Sequence, residues 1–107
     1  MRLAAQTLAA GVTTALYTVP ANSRVVLTVS LCNRSGSAAK VAMALTTGAA
    51  PTDADWIEFD TPLQPAGSSG GSVLERTGLA LGVGQALFVR SDVVSVSAVA
   101  YGVLEAI

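Results

Sequence analysis

Four carboxylates, Asp53, Asp55, Glu58 and Asp60, fall within eight residues and are the chain's best candidates for acid–base or metal chemistry. A glycosidase sets two carboxylates across a sugar cleft lined with aromatics. This chain has two Tyr, two Phe and one Trp in all. Calcium takes six to eight oxygens from a loop that wraps the ion, and this spacing matches no such loop. Strand alternation puts Glu58 and Asp60 on one face with Trp56, and leaves Asp53 and Asp55 in the preceding loop. A solvated or salt-bridged strand edge is the reading that fits.

Nucleophilic chemistry has less support. The chain has no histidine, so neither a Ser-His-Asp nor a Cys-His constellation can be built from it. Gly78, Gly82 and Gly84 flank a strand-turn-strand pattern, open no helix and precede no Lys-Ser/Thr pair, so they read as turn glycines rather than a phosphate cradle. Cys32 is the single cysteine, which leaves no intrachain disulfide and no cysteine-based metal cluster. Its place in an apolar alternation suits a small buried hydrophobe. Asn33-Arg34-Ser35 matches the glycosylation sequon, a match common by chance. The expectation is a protein that is not an enzyme, with no catalytic residue, metal or cofactor.

The elements that carry these residues show a period of two. In "RVVLTVSLCN", Val25, Leu27, Val29 and Leu31 share one face, and Val26, Thr28, Ser30 and Cys32 the other, as in a strand packed through one side. "KVAMALT" turns Val41, Met43 and Leu45 inward. "QALFVRS" sets Leu87 and Val89 against Ala86, Phe88 and Arg90. "VVSVSAVAYGVL" places Val94, Val96, Ala98 and Ala100 on one side and Ser95, Ser97, Val99 and Tyr101 on the other. That second side is not very polar, and contact with another chain would explain it.

Turn residues separate the runs at the spacing of an all-β sandwich. The reading gives about eight strands, at 2–8, 13–19, 24–32, 39–46, 55–60, 72–79, 85–91 and 94–104. The first, "RLAAQTLAA", would also suit an alanine-rich helix. The fold expected is a single all-β domain over 1–107, a two-sheet antiparallel sandwich of jelly-roll type. Gln6 and Thr7 interrupt the N-terminal apolar stretch before it reaches signal-peptide length, so it reads as part of the fold. No run reaches the roughly 20 apolar residues of a membrane span.

Composition bounds the partners. Six basic and seven acidic residues give a net charge of −1, with no basic stripe for nucleic acid and no polybasic patch for a membrane surface. Charged residues make up 12% of the chain, against about 25% in ordinary soluble domains. A 10.7 kDa chain should fold to about 5,500 Å² of surface, which few charges would cover. One account is a robust monomer with a Ser/Thr/Ala surface; the preferred one is that neighbouring subunits cover part of it, since interface centres are charge-poor. Candidate interface residues are Arg24, Arg34 and Arg90 at strand ends, Glu75 and Arg76 on opposite strand faces, and Val99 and Tyr101 on the less polar face.

"TALYTVPANSRVVLTVSLCNRSGSA", "LERTGLALGVGQALFVRS" and "VSVSAVAYGVLE" together resemble a family of small bacteriophage virion proteins. In that family a "LYTVP" turn precedes a strand ending in "CNRS", an acidic strand, an "ERTG" strand and a closing strand with "YG". The resemblance spans residues 6 to 105, and "SSGGS" at Ser68 to Ser72 is longer than the family's usual loop. It implies a structural protein located in the virion, self-associating as a homotrimer and touching the major capsid protein or another virion protein. Capsid decoration is the first expectation, and a collar, baseplate or tail-fibre component the second. A carbohydrate-binding module using Trp56, Tyr17 and Tyr101 with Asp60 or Glu58 is a third reading, of a different class.

Overall fold

A computed structural model describes residues 1–107. The chain forms eight strands and one short 3-10 turn. They are β1 (Arg2–Thr7), β2 (Thr14–Thr18), β3 (Ser23–Asn33), β4 (Ala39–Thr46), β5 (Trp56–Leu63), β6 (Val73–Leu81), β7 (Ala86–Ser91) and β8 (Val96–Ala106). One sheet runs β1-β8-β3-β6 and the other β2-β7-β4-β5. Every pairing between named strands is antiparallel.

The order has a simple origin. β1 pairs with β8, β2 with β7, β3 with β6 and β4 with β5, so the chain is one long hairpin whose tip lies between β4 and β5. Rolling that hairpin brings β3 onto β8 and β4 onto β7 and splits it into two facing sheets. This is the jelly-roll arrangement, which manages sheet edges by double-sheet closure. The alanine-rich first segment is a strand, because its register along β8 from Arg2–Tyr101 to Thr7–Ser97 overrides helix propensity.

The inward faces of β3, β4, β7 and β8 meet as expected. Val25, Leu27, Val29 and Leu31 pack against Val41, Met43, Leu87, Val89, Val96, Ala98 and Ala100 in one core of 18 buried residues. Truncating a fully buried member such as Leu31 to alanine would cost about 2–5 kcal/mol. The accessible surface is 5418 Å², as chain mass alone requires.

Several boundaries and faces differ from the sequence reading, each for a local reason. Val94 is exposed rather than inward, because Ser95 has φ 68° and β8 starts only at Val96. β5 runs on to Leu63 through Pro62, which an edge strand tolerates. Gly78 is not a turn glycine. It sits inside β6 at φ 68°, where Leu27 pairs with Leu79 and Val29 with Arg76, leaving two residues opposite Thr28. That is a β-bulge built on a left-handed glycine. Cys32 is half-buried on the outward side of β3 rather than in the core.

Candidate interaction surface

The carboxylates do not converge. Asp55 Oδ2 accepts from the Thr52 backbone N–H at 2.8 Å and closes the 3-10 turn. Two irregularities in β5 set Trp56 opposite Ala44, Glu58 opposite Met43 and Thr61 opposite Val41, each adding an unpaired residue. Glu58 is thereby turned away from Trp56, contrary to the shared face expected, and reaches across to the other sheet. There Arg76 Nη1 of β6 donates to its Oε2 at 2.6 Å, and Thr61 Oγ1 donates to Oε1 at 2.7 Å. This ion pair joins edge strands β5 and β6 of opposite sheets. Asp60, at φ 51°, stays outward, 3.5 Å from Arg90. The salt-bridged reading holds for Glu58 and Asp60.

The outer face of β2-β7-β4-β5 is largely covered by its own side chains, with Phe59 at its β5 edge left 57% exposed. Trp56 and Phe88 pack over Ala44 and Ala86, and Ala42 and Ala44 are fully buried although both point outward. Trp56 and Phe59 meet edge to face, with centroids 5.4 Å apart. The Arg90 guanidinium lies 5.3 Å from the first ring and 5.1 Å from the second. Phe59 escaped sequence reasoning because the irregularities in β5 set its side, and strand alternation cannot show them. Tyr17 is half-buried against the core and Tyr101 lies on the opposite sheet, so the three aromatics of the carbohydrate reading do not form one platform.

The outer face of β1-β8-β3-β6 is open. Val26 is 53% exposed, Val73 53%, Val103 68% and Tyr101 39%. Register sets Val26 beside Val103, Thr28 beside Tyr101 and Ser30 beside Val99. Half-buried Cys32 and exposed Ala80 and Ala5 continue the surface across β3, β6 and β1. Contiguous exposed apolar surface of this kind marks contact sites. At one end lies a groove of about 330 Å³, lined by Val26, Ala80, Leu81 and Val103, with Arg24 and Glu105 at its rim.

The seven candidate interface residues divide accordingly. Arg24, Glu75, Val99 and Tyr101 lie on the open face. Arg24 makes an ion pair with Glu105 of β8. The Tyr101 hydroxyl donates to Glu75 Oε2 at 3.1 Å. That bond, then partial desolvation and the nearby negative charge, raises the Tyr101 phenol above its ordinary pKa. Arg76 belongs to the inter-sheet pair and Arg90 to the other sheet's outer face, while Arg34 Nη2 donates to Thr7 Oγ1 at 3.3 Å and so joins the far end of the open face. The signal missed in the sequence was Val26, Val73 and Val103, three β-branched residues at outward positions where polar ones are usual.

The motif residues shape backbone. Val19 of "LYTVP" is buried, and its N–H donates to the Gln85 carbonyl at 2.9 Å. Asn33 of "CNRS" is fully buried. Its Nδ2 donates to the carbonyls of Ser37 at 2.8 Å and Gln64 at 3.1 Å, and its Oδ1 accepts from Ser35 N–H at 3.0 Å. That amide pins two loops and leaves the sequon acceptor enclosed. No helix is long and apolar enough to cross a membrane. The chain matches no protein-family model, no curated protein and no solved structure.

Proposed function

We propose that this protein is a non-enzymatic structural component of a bacteriophage particle, acting as a capsid decoration protein that self-associates and covers joints between capsid subunits. The observation that carries the reading is the open apolar face of the β1-β8-β3-β6 sheet, in a chain with only 12% charged residues. Such a face is poorly suited to permanent exposure and well suited to burial by a neighbouring chain. The jelly-roll topology agrees with it, since viral capsid domains use that architecture, although a fold hosts many functions. The virion assignment itself rests on the sequence resemblance.

Two kinds of surface serve the role. The open face offers apolar area, and the outer edges of β1, β6, β2 and β5 offer unpaired backbone groups to which a neighbouring strand can add. Buried area added across capsid joints would raise the particle's resistance to internal pressure. Quantitative proteomics of purified particles tests the reading. Hundreds of copies per particle is the expected result. A handful of copies would move the protein to a collar, baseplate or tail fibre, and its absence from particles would overturn the virion reading.

A further inference from the structure

We infer that the open face docks on the same face of a second copy, about a two-fold axis parallel to the strands and passing between β8 and β3. The inference rests on this face being a contact surface and not on the virion location, and it puts a two-fold pair in place of the homotrimer that the resemblance implies. Its basis is the pattern of charge along the sheet. In the order β1-β8-β3-β6, the outward charges within the strands are Arg2 on β1, Glu105 on β8, Arg24 on β3 and Glu75 on β6, and Arg34, just past β3, adds a fifth at the far end through its bond to Thr7. Rotation about that axis reverses the order, so β1 lies over β6 of the partner subunit and β8 over β3.

Arg24 and Arg2 then each meet an anion, while Arg34 stays on Thr7 at the far end of the face. Arg24 and Glu105 are register neighbours, so Arg24 stands opposite the partner's Glu105, and the reciprocal contact forms with it. Arg2 faces the partner's Glu75 about one side-chain repeat along the strand. Val26 falls opposite the partner's Val103, and Ser30 opposite the partner's Val99. A two-fold contact must be self-complementary in this way. With Arg34 the face carries three cations and two anions, a net charge of only +1, so a strongly charged partner of either sign would gain little from it.

Area agrees. The four strands hold 6, 11, 11 and 9 residues. At about 3.3 Å rise and about 4.8 Å strand spacing, their footprint is about 600 Å² per copy. Two copies bury about 1,200 Å², above the roughly 1,000 Å² that a specific interface needs. Face-to-face sheets pack about 10 Å apart with strands nearly aligned, a gap that paired Arg and Glu side chains span.

Sedimentation velocity and native mass spectrometry of the isolated full chain test this, whatever its place in a particle. The wild type should be a dimer. Val103→Glu should raise the dimer dissociation constant at least about a hundredfold by burying an unpaired charge, with the circular-dichroism melt retained. Val26→Lys substitutes if that variant melts early. A wild-type monomer, a trimer, or a dimer that survives both variants would overturn the inference.

A mixing experiment tests the register. The Arg24→Glu/Glu105→Arg double variant keeps its internal ion pair and should dimerise with itself. Mixed with wild type, like charges would meet on both sides of the axis, so the two chains should sort into separate homodimers. Statistical mixing would contradict the proposed axis.

Discussion

On the β2-β7-β4-β5 sheet, Trp56 and Phe88 fold down over alanines with Arg90 against the Trp56 ring, and only Phe59 at the edge stays exposed; on the β1-β8-β3-β6 sheet, valines and a tyrosine stand side by side with nothing above them. Both outward faces come from the same period-two strands with few charges. The difference lies in side-chain reach. Pairing large aromatic rings and a long guanidinium stem with small neighbours lets a sheet cover itself. Medium side chains of equal height, as at Val26 and Val103, leave a flat apolar surface that only another chain can bury. Low charge therefore has two different consequences in one domain.

The largest expected effect comes from the platform of the open face. Gly102 in β8 lies where a Cβ would stand 2.7 Å from Leu27 Cα and press on the Val26 carbonyl. Neither backbone group can yield without separating β3 from β8, so Gly102→Ala should cost about 3 kcal/mol or more, read as a drop in urea midpoint. Next comes Trp56→Ala, which uncovers Ala44, Ala86 and Phe88 and removes the Arg90 contact. It should destabilise the monomer by about 2–3 kcal/mol. Val103→Thr on the open face should change monomer stability by less than about 0.5 kcal/mol. A loss at Val103 as large as that at Trp56 would erase the contrast between the faces.

Much of this was legible in the residue order. The inward sets of β3, β4 and β7 followed from alternation, because a register slip would expose every buried side chain at once. The apolar character of the Val99–Tyr101 side was also visible. The bulges were not. They depend on how a partner strand pairs, and they decided that Glu58 faces Arg76 while Phe59 joins Trp56. Arg24, Arg34 and Arg90 likewise read as free strand-end charges, whereas each has a partner supplied by a strand distant in sequence. Local patterns carry the faces, and long-range pairing carries the site.

Smaller effects sharpen the same contrast. Arg76→Ala removes the pair between the sheets, whose Glu58 member is mostly shielded and whose Arg76 member is partly exposed. It should cost about 1 kcal/mol in thermal melts and leave both outer faces unchanged. The smallest is a titration. Tyr101 has a raised pKa because its hydroxyl donates to Glu75. A raised pKa means the protonated phenol is the form favoured in the folded state, so this contribution is present below the unfolded pKa and is lost as pH rises through the folded one. Glu75→Gln should shift the Tyr101 phenolate absorbance transition downward, and an unmoved transition would contradict the Tyr101–Glu75 hydrogen bond.

The most direct measurement is methyl NMR of valine-labelled protein with a soluble paramagnetic agent, at low and high protein concentration. Val26, Val73 and Val103 lie on the open face, while Val12, Val83 and Val94 are exposed elsewhere. The account predicts that the first three methyl sets become protected as concentration rises and the second three do not. Equal behaviour of the two sets, or protection confined to the second, would contradict it.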